Sequence, residues 1–442
     1  MAVKSAVSQA IFQPIRIGDC EIKNRIAVAP MNMTYSTQDG YVTPQDIAHL
    51  TRRAQGGFGL IITGAIICTR LAAPFVFHRN LYLYDESFIP GLNNMVEAVH
   101  SFGSKIFAQL SIGFGRQGHA LDGTPPYAPS AIPVSIPIEN VPKQLIDYIL
   151  TSPAMMHPYD IPREMTIEEI HSEEREYAEA CRRAVIAGFD GIEIHAPHGY
   201  LEHQFLSPRS NKRTDLYGGS LLNRMRFVAE VVDYVLEAVN DAIPVGIRIS
   251  AAEHMPEGLT AEEMIEVARK VEELGVAYLH LSDGSYEAMK YFFPESMEHV
   301  ENHLLKEAKT IKAALKIPVI TPSIHDPKVA ERSIKDSVTD MISLGRQAIA
   351  DPDWPNKVKD GKASSIKYCK RDGICLNRCN AGLYPRCSVN PEVGFEEHCP
   401  EFFQTRRGGP IMPKAISKLY GRIPYTANPY MVLPSEMDMR RV

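Results

Sequence analysis

Two groups of residues in this chain have the types and spacing to do chemistry. The segment His195-Ala-Pro-His-Gly-Tyr200 sets two imidazoles and a phenol within six residues. Imidazoles converging on one oxygen can donate hydrogen bonds to a carbonyl that gains negative charge, and a phenol beside them can deliver a proton. The same His195–His198 pair could instead ligate a metal, although no carboxylate in the segment completes such a set. The second group is Cys369, Cys375, Cys379 and Cys387, four thiols within nineteen residues, followed by Ser-Val-Asn-Pro. In a reducing compartment such crowding is not a disulfide framework. It points to a metal centre, either an iron–sulfur cluster or structural zinc. Cys399 is a reserve fourth ligand, while Cys20, Cys68 and Cys181 are dispersed.

A repeating framework positions these residues. Short β-branched runs at 25–30, 58–64, 105–110, 191–195, 245–249, 277–281, 318–321 and 340–344 alternate with helical patterns up to about Gly361. Eight βα units over that length predict a closed (β/α)8 TIM barrel rather than an open sheet. In Gly-Ile-Glu-Ile-His the residues alternate, so with Ile192 and Ile194 packed outward, His195 points inward at the carboxyl end of its strand, where barrel active sites lie. Thr166–Glu169 and Thr260–Glu263 read as capping boxes, and Gly188 and Gly275 as helix stops. A Pro-rich excursion over 127–162 interrupts the third unit and reads as a lid. Its Ile132, Ile136, Ile138, Leu145, Ile149, Met155 and Met156 suggest either a bulky apolar substrate or plain packing. Residues 113–118, Gly-Phe-Gly-Arg-Gln-Gly, match a dinucleotide fingerprint formally, but prolines replace the helix that fingerprint needs, so the glycines are expected to let the loop pass close to a cofactor.

Composition excludes other classes. The net charge of −6 and the scattered Lys and Arg give no footprint for nucleic acid. No apolar run reaches the roughly 18 residues of a membrane span, and the N-terminus lacks a signal-peptide core, so a cytoplasmic enzyme is expected, as a homo-oligomer. The division expected is a barrel over 1–362 and a cysteine-rich segment and tail over 363–442.

The run Gly-Phe-Asp-Gly-Ile-Glu-Ile-His-Ala-Pro-His-Gly-Tyr ending at Tyr200, with APM at 29–31, AQGGFGLIITG at 54–64, AQL at 108–110, REMTIEEI at 163–170, VGIRIS at 245–250 and LGRQAIADPDWPNK at 344–357, resembles the old yellow enzyme superfamily of flavin-dependent ene-reductases. The cysteines make it similar to that superfamily's iron–sulfur branch, which includes 2,4-dienoyl-CoA reductase, bile-acid enoate reductases and trimethylamine dehydrogenase. The resemblance implies non-covalent FMN at the barrel mouth. Ala29, Pro30 and Met31 would lie beside the isoalloxazine, with Ala65 lining it, Gln109 and Arg248 bonding its polar edge, and Gly345 and Arg346 holding the phosphate. The usual Gly-Gly after strand seven is Pro322-Ser323 here, so Ser323 stands in the phosphate cradle with one donor fewer. Arg248, inward on strand five, needs a partner in a barrel interior; an ion pair with Glu193 is the alternative to flavin. The branch pattern opens C-x2-C, where this chain has Asp372, so Cys369 is the implied first ligand.

An FMN and [4Fe–4S] ene-reductase is therefore expected, reducing an enone, enoate or enoyl thioester. His195 and His198 would hold the carbonyl oxygen and Tyr200 would protonate the α-carbon. The alternative is an amine dehydrogenase passing electrons from FMN to the cluster, which would call for an aromatic cage and a cysteine near the flavin. Larger members of the branch carry nucleotide-binding domains after the cluster. Here electrons are expected from a separate flavoprotein or ferredoxin, or from NAD(P)H directly.

Overall fold

The computed structural model describes residues 10–75, 79–120, 122–145, 161–293 and 304–398. Eight parallel strands close on themselves: β1 (Ile26–Val28), β2 (Leu60–Ile62), β3 (Lys105–Ser111), β4 (Gly191–His195), β5 (Val245–Ser250), β6 (Tyr278–Ser282), β7 (Val319–Pro322) and β8 (Met341–Leu344). β8 pairs with β1, and β2 with β3, which completes the barrel predicted from the alternating runs. Helices α1 (Pro44–Gln55), α2 (Ile89–His100), α3 (Ile167–Ile186), α4 (Leu221–Val239), α5 (Ala261–Leu274), α6 (Leu305–Ala314) and α7 (Pro327–Lys335) surround it. Both expected capping boxes form, and a third at Thr43 uses Asp46 where a glutamate is usual. Gly188 and Gly275 adopt left-handed conformations at the ends of α3 and α5. No described helix is long and apolar enough to cross a membrane.

Alternation along each strand divides the core. Ile192 and Ile194 face the helices, in one apolar cluster with Val228, Val231 and Val267. Inside, Ala27, Leu60, Ile62, Phe107, Tyr278, Ile320 and Met341 fill the barrel's lower layer. Ile17 and Ile22, from a hairpin of Ile15–Ile17 and Cys20–Ile22, plug that layer from below. Gly191 and Gly246 make room for it: a Cβ at Gly191 would lie 2.7 Å from the Phe107 ring, and one at Gly246 2.1 Å from the Tyr278 ring. The floor is thus largely apolar, and apart from the Tyr278 hydroxyl the polar inward side chains lie above it, from mid-strand to the carboxyl end.

The excursion is fastened to the loop after β6. Glu287, buried, accepts hydrogen bonds from Arg116 (2.7 Å), Arg209 (2.9 Å) and the Ser135 backbone (2.8 Å). Leu145 and Ile136 pack with Met289, Phe293 and Leu376, so these two pack against other loops, and Ile138 is exposed. Ile149, Met155 and Met156 lie outside the described residues, as do Cys399 and the tail after it. The segment carrying the other cysteines lies on the barrel. Buried Glu396 accepts from Gln45 (2.6 Å) and Arg53 (2.9 Å), which share one face of α1 with His49, 3.2 Å from the same carboxylate. Gln347 bonds Lys367 O and the Cys369 N–H, and Arg371 donates to His325.

Candidate active site

A cavity of about 270 Å³ opens at the carboxyl ends of the strands. Ala29, Pro30, Met31, Ala65, Gln109, His195, His198, Tyr200, Arg248, Ser323, Gly345 and Arg346 all line it, together with Cys375 and Cys379. Cys369 and Cys387 stand outside this lining. Residues spread over the whole barrel therefore converge on one space, as eight strands ending at a common rim must make them.

Strand β4 delivers His195, and the loop after it delivers His198 and Tyr200. His198 sits at φ +67°, held by its N–H to Ser250 Oγ (3.3 Å), while the Tyr286 N–H donates to its carbonyl (3.2 Å). The amides of Gln117 and Gln204 clamp Gly199 O. This gives the 113–118 loop its role. Gly115 turns at φ +55°, and a Cβ there would sit 2.3 Å from Gln204 Oε1, while the neighbouring Phe114 lines the cavity. The segment that follows forms a single 3-10 turn, Gly115–Gln117, in place of a phosphate-binding helix.

The ring centroids lie 5.4 Å apart for His195–His198 and 5.1 Å for His195–Tyr200. His198 Nε2 is 2.6 Å from Ser282 Oγ, and the Arg248 guanidinium donates to that same oxygen at 3.2 Å. Both ring nitrogens of His195 are buried without a protein partner, and so is Arg248 Nε. Orphaned polar atoms of this kind cost about 1–3 kcal/mol each, so the protein keeps them for something it binds. Burial, reinforced by Arg248, pushes both histidines well below their ordinary value. They are neutral, and each has one N–H to donate. The Tyr200 hydroxyl donates to Tyr286 at 3.0 Å, and burial raises both phenols.

Beneath the cavity lies a buried network. Glu193 accepts from Gln109 Nε2 (2.7 Å) and Tyr278 (3.0 Å), with His280 Nδ1 at 2.8 Å, and His280 Nε2 meets Ser343 at 2.9 Å. Burial alone would raise Glu193, but His280 and Arg248 hold it below the ordinary carboxylate value. Arg248 and Glu193 do not form the direct ion pair offered as an alternative; among the described residues Arg248 donates to Ser282, and burial lowers it to about 10. Gln109 has committed its N–H group to Glu193 while lining the cavity. Ser323 adopts φ +68°, the backbone conformation that favours glycine.

Polar residues of β6 and its loop were missed in the sequence. Tyr278, His280 and Ser282 alternate inward on that strand, and Asp283, Tyr286 and Tyr291 follow at the rim. The signal was the alternation in Tyr-Leu-His-Leu-Ser, which places three polar side chains on one face.

Cys375 lies within electrostatic reach of both Cys369 and Cys379. Burial and Cys369 push Cys375 up to about 12, and burial pushes Cys379 to about 11, so a bound metal would have to displace their protons. The Arg371 N–H points at Cys369 Sγ at 3.4 Å, a hydrogen bond of the kind that tunes cluster sulfurs. Among the described residues, no three cysteine sulfurs fall within 4.8 Å of one another.

Comparison with known proteins agrees with this class of site. Residues 10–365 match the NADH:flavin oxidoreductase / NADH oxidase family. The NADH oxidase of Thermoanaerobacter brockii is 38% identical over 411 residues, covering 92% of this chain and 59% of that protein. The cinnamate reductase of Clostridium sporogenes is 33% identical, over 88% of this chain and 58% of that protein. Among solved structures, a 2-naphthoyl-CoA reductase complex superposes with TM-score 0.79 at 29% identity, over 89% of this chain and 58% of that one. The histamine dehydrogenase of Rhizobium sp. 4-9 gives 0.75 at 29%, over 88% and 53%. The barrel and its mouth are those of an FMN-dependent oxidoreductase. The chain belongs to the NADH:flavin oxidoreductase / NADH oxidase family, and it spans about three fifths of the length of these curated relatives.

Proposed function

We propose that this protein reduces the C=C bond of an α,β-unsaturated carbonyl compound. Ala29, Pro30, Met31 and Ala65 would flank the isoalloxazine, Gln109 and Arg248 would meet its polar edge, and Ser323, Gly345 and Arg346 would hold the phosphate. Reduced FMN bound there supplies the hydride that adds at the β-carbon. His195 and His198, as neutral donors, hold the carbonyl oxygen and stabilise the negative charge that develops on it. Tyr200 gives its proton to the α-carbon, turning its O–H from Tyr286, to which it donates at 3.0 Å in the protein alone. The observation that carries this reading is His195, buried in the cavity wall with both ring nitrogens unpartnered, 5.4 Å from a second imidazole. The cinnamate reductase relative supports an enoate as substrate.

In this reading Cys369, Cys375, Cys379 and Cys387 would hold a [4Fe–4S] cluster, which would supply electron transfer between a partner flavoprotein or ferredoxin and the flavin; two of those residues line the cavity itself. NADH or NADPH acting directly on the flavin is the other route, and anaerobic mixing with each nucleotide separates the two. One observation favours a second reading, amine oxidation: Asp283 lines the cavity beside Tyr286, Tyr291 and Phe293, a carboxylate among aromatic faces that would suit an ammonium group. A single experiment discriminates. Photoreduced holoenzyme mixed anaerobically with cinnamate regains its yellow absorption if it is an ene-reductase, and His195→Ala and His198→Ala slow this by about 10²-fold or more. Unchanged rates in both variants defeat the proposal, and bleaching of the oxidised enzyme by amines would establish the second reading.

A further inference from the structure

Helices α3 and α4 pack against each other on the outside of the barrel and bracket β4, α3 leading into that strand and α4 following its loop. At their contact stand His171 and Glu174, one turn apart on α3, and Glu230 on α4. Among the described residues this is the one set of His, Cys, Asp or Glu in which three ligand atoms lie within 4.8 Å of one another. His171 Nδ1 is 2.9 Å from Glu174 Oε2. The Glu174 side chain is completely buried, yet its Oε1 has no hydrogen-bond partner. Glu230 is oriented from behind by the buried Tyr217 hydroxyl, which donates to its Oε2 at 2.7 Å. His171, 42% exposed, leaves a way in from solvent.

Glu174, completely buried, faces Glu230, which is partly exposed and 3.7 Å from Arg226 on its outer side, and two facing carboxylates repel unless a cation lies between them. We propose that the His171–Glu174–Glu230 set is a binding site for a divalent first-row transition-metal ion. One imidazole and two carboxylates, one of them held by a tyrosine, form a mixed nitrogen and oxygen set with an outer hydrogen bond that fixes it. The set is short of the six to eight oxygens that calcium prefers. The ion lies between Glu174 and Glu230, balances their charges, and completes its coordination with water. It thereby ties the helix entering β4 to the helix that follows the catalytic loop. The inference does not depend on which reaction the barrel catalyses.

Mn²⁺ is the suitable probe, because it disfavours the thiols of the cysteine segment, which zinc would also occupy. Purified holoenzyme is titrated with MnCl₂ and the six-line EPR signal of free Mn²⁺ is followed, alongside His171→Ala and Glu230→Gln. Both changes fall on partly exposed side chains, and flavin absorption and circular dichroism check that each variant is folded. Expected are one more bound Mn²⁺ per wild-type chain than in either variant, at least tenfold weaker binding in His171→Ala, and a rise in melting temperature with Mn²⁺ in the wild type only. Equal uptake by all three proteins, or no uptake by the wild type at millimolar Mn²⁺, would overturn the site.

Discussion

Replacing Glu193 by glutamine tests whether the network beneath the cavity holds Arg248 in place. The carboxylate receives Gln109 and Tyr278 at 2.7 and 3.0 Å, with His280 at 2.8 Å, and its charge lies close enough to Arg248 to oppose the burial penalty on that guanidinium. Glutamine keeps the volume, but it removes the charge and turns an N–H group toward donors. Breaking a buried charge arrangement from one side costs about 3–5 kcal/mol. The amide oxygen can still accept from one or two of the donors, so the lower end, about 3 kcal/mol, is expected. Unfolding entropy of about 2.1 cal/mol/K per residue gives a barrel of some 350 residues about 0.7 kcal/mol/K, so the melting temperature at pH 7 should fall by about 4 °C. The dependence on pH has a definite sign. The folded value of Glu193 lies below its ordinary 4.5, so its stabilisation is fully present above that pH and is lost as the pH falls through the depressed value. Melting curves of both proteins from pH 8 to pH 3 should therefore run parallel down to about pH 4.5 and then converge. Equal melting temperatures at pH 7, or a gap that persists unchanged to pH 3, would refute the role assigned to Glu193.

Because burial and Arg248 hold His195 and His198 well below 6.5, the rate of flavin reoxidation by enoate should not fall between pH 8 and pH 6.5; a loss with an apparent pKa near 6.5 would mean that the donors titrate there. Tyr286→Phe removes the oxygen that accepts from Tyr200 at 3.0 Å. It frees the Tyr200 proton for the α-carbon, so reoxidation should not slow and flavin reduction should be unchanged; a tenfold loss in stopped-flow reoxidation would mean that Tyr286 orients the acid. Cys379→Ser should strip iron and acid-labile sulfide from the protein while FMN stays bound; zinc in the purified wild type in place of iron would reverse the assignment of that centre.

Much of the fold was legible because it rests on local rules. All eight strands lie within a residue or two of the apolar runs, since strands buried on both faces read as continuous β-branched segments, and the βα rhythm leaves few closed topologies. The capping box at Thr43 escaped notice only because Asp46 does the work usually given to glutamate. The hairpin at 15–22 was invisible for a different reason. Its value lies in Ile17 and Ile22 reaching Phe107 and Tyr278, contacts between residues about ninety and two hundred and sixty positions apart that no local pattern encodes.

The site divides along the same line. His195 could be aimed inward from the sequence because alternation within one strand decides which way a side chain points. What surrounds it could not be read, because a partner on a neighbouring strand depends on register. Arg248 lies level with His195 on one side and His280 on the other. From Arg248 alone, a carboxylate partner on β4 was as reasonable as a ligand. The register and side-chain reach instead give Glu193 to Gln109, Tyr278 and His280, and leave the guanidinium leaning on Ser282 with Nε unmatched. The carboxylate thus lowers the cost of burying Arg248 without occupying its donors, and the donors stay available at the cavity wall beside two neutral imidazoles. A direct ion pair would have stabilised the barrel more and spent the charge. Its absence leaves one strand-end cation and two imidazoles facing the same cavity.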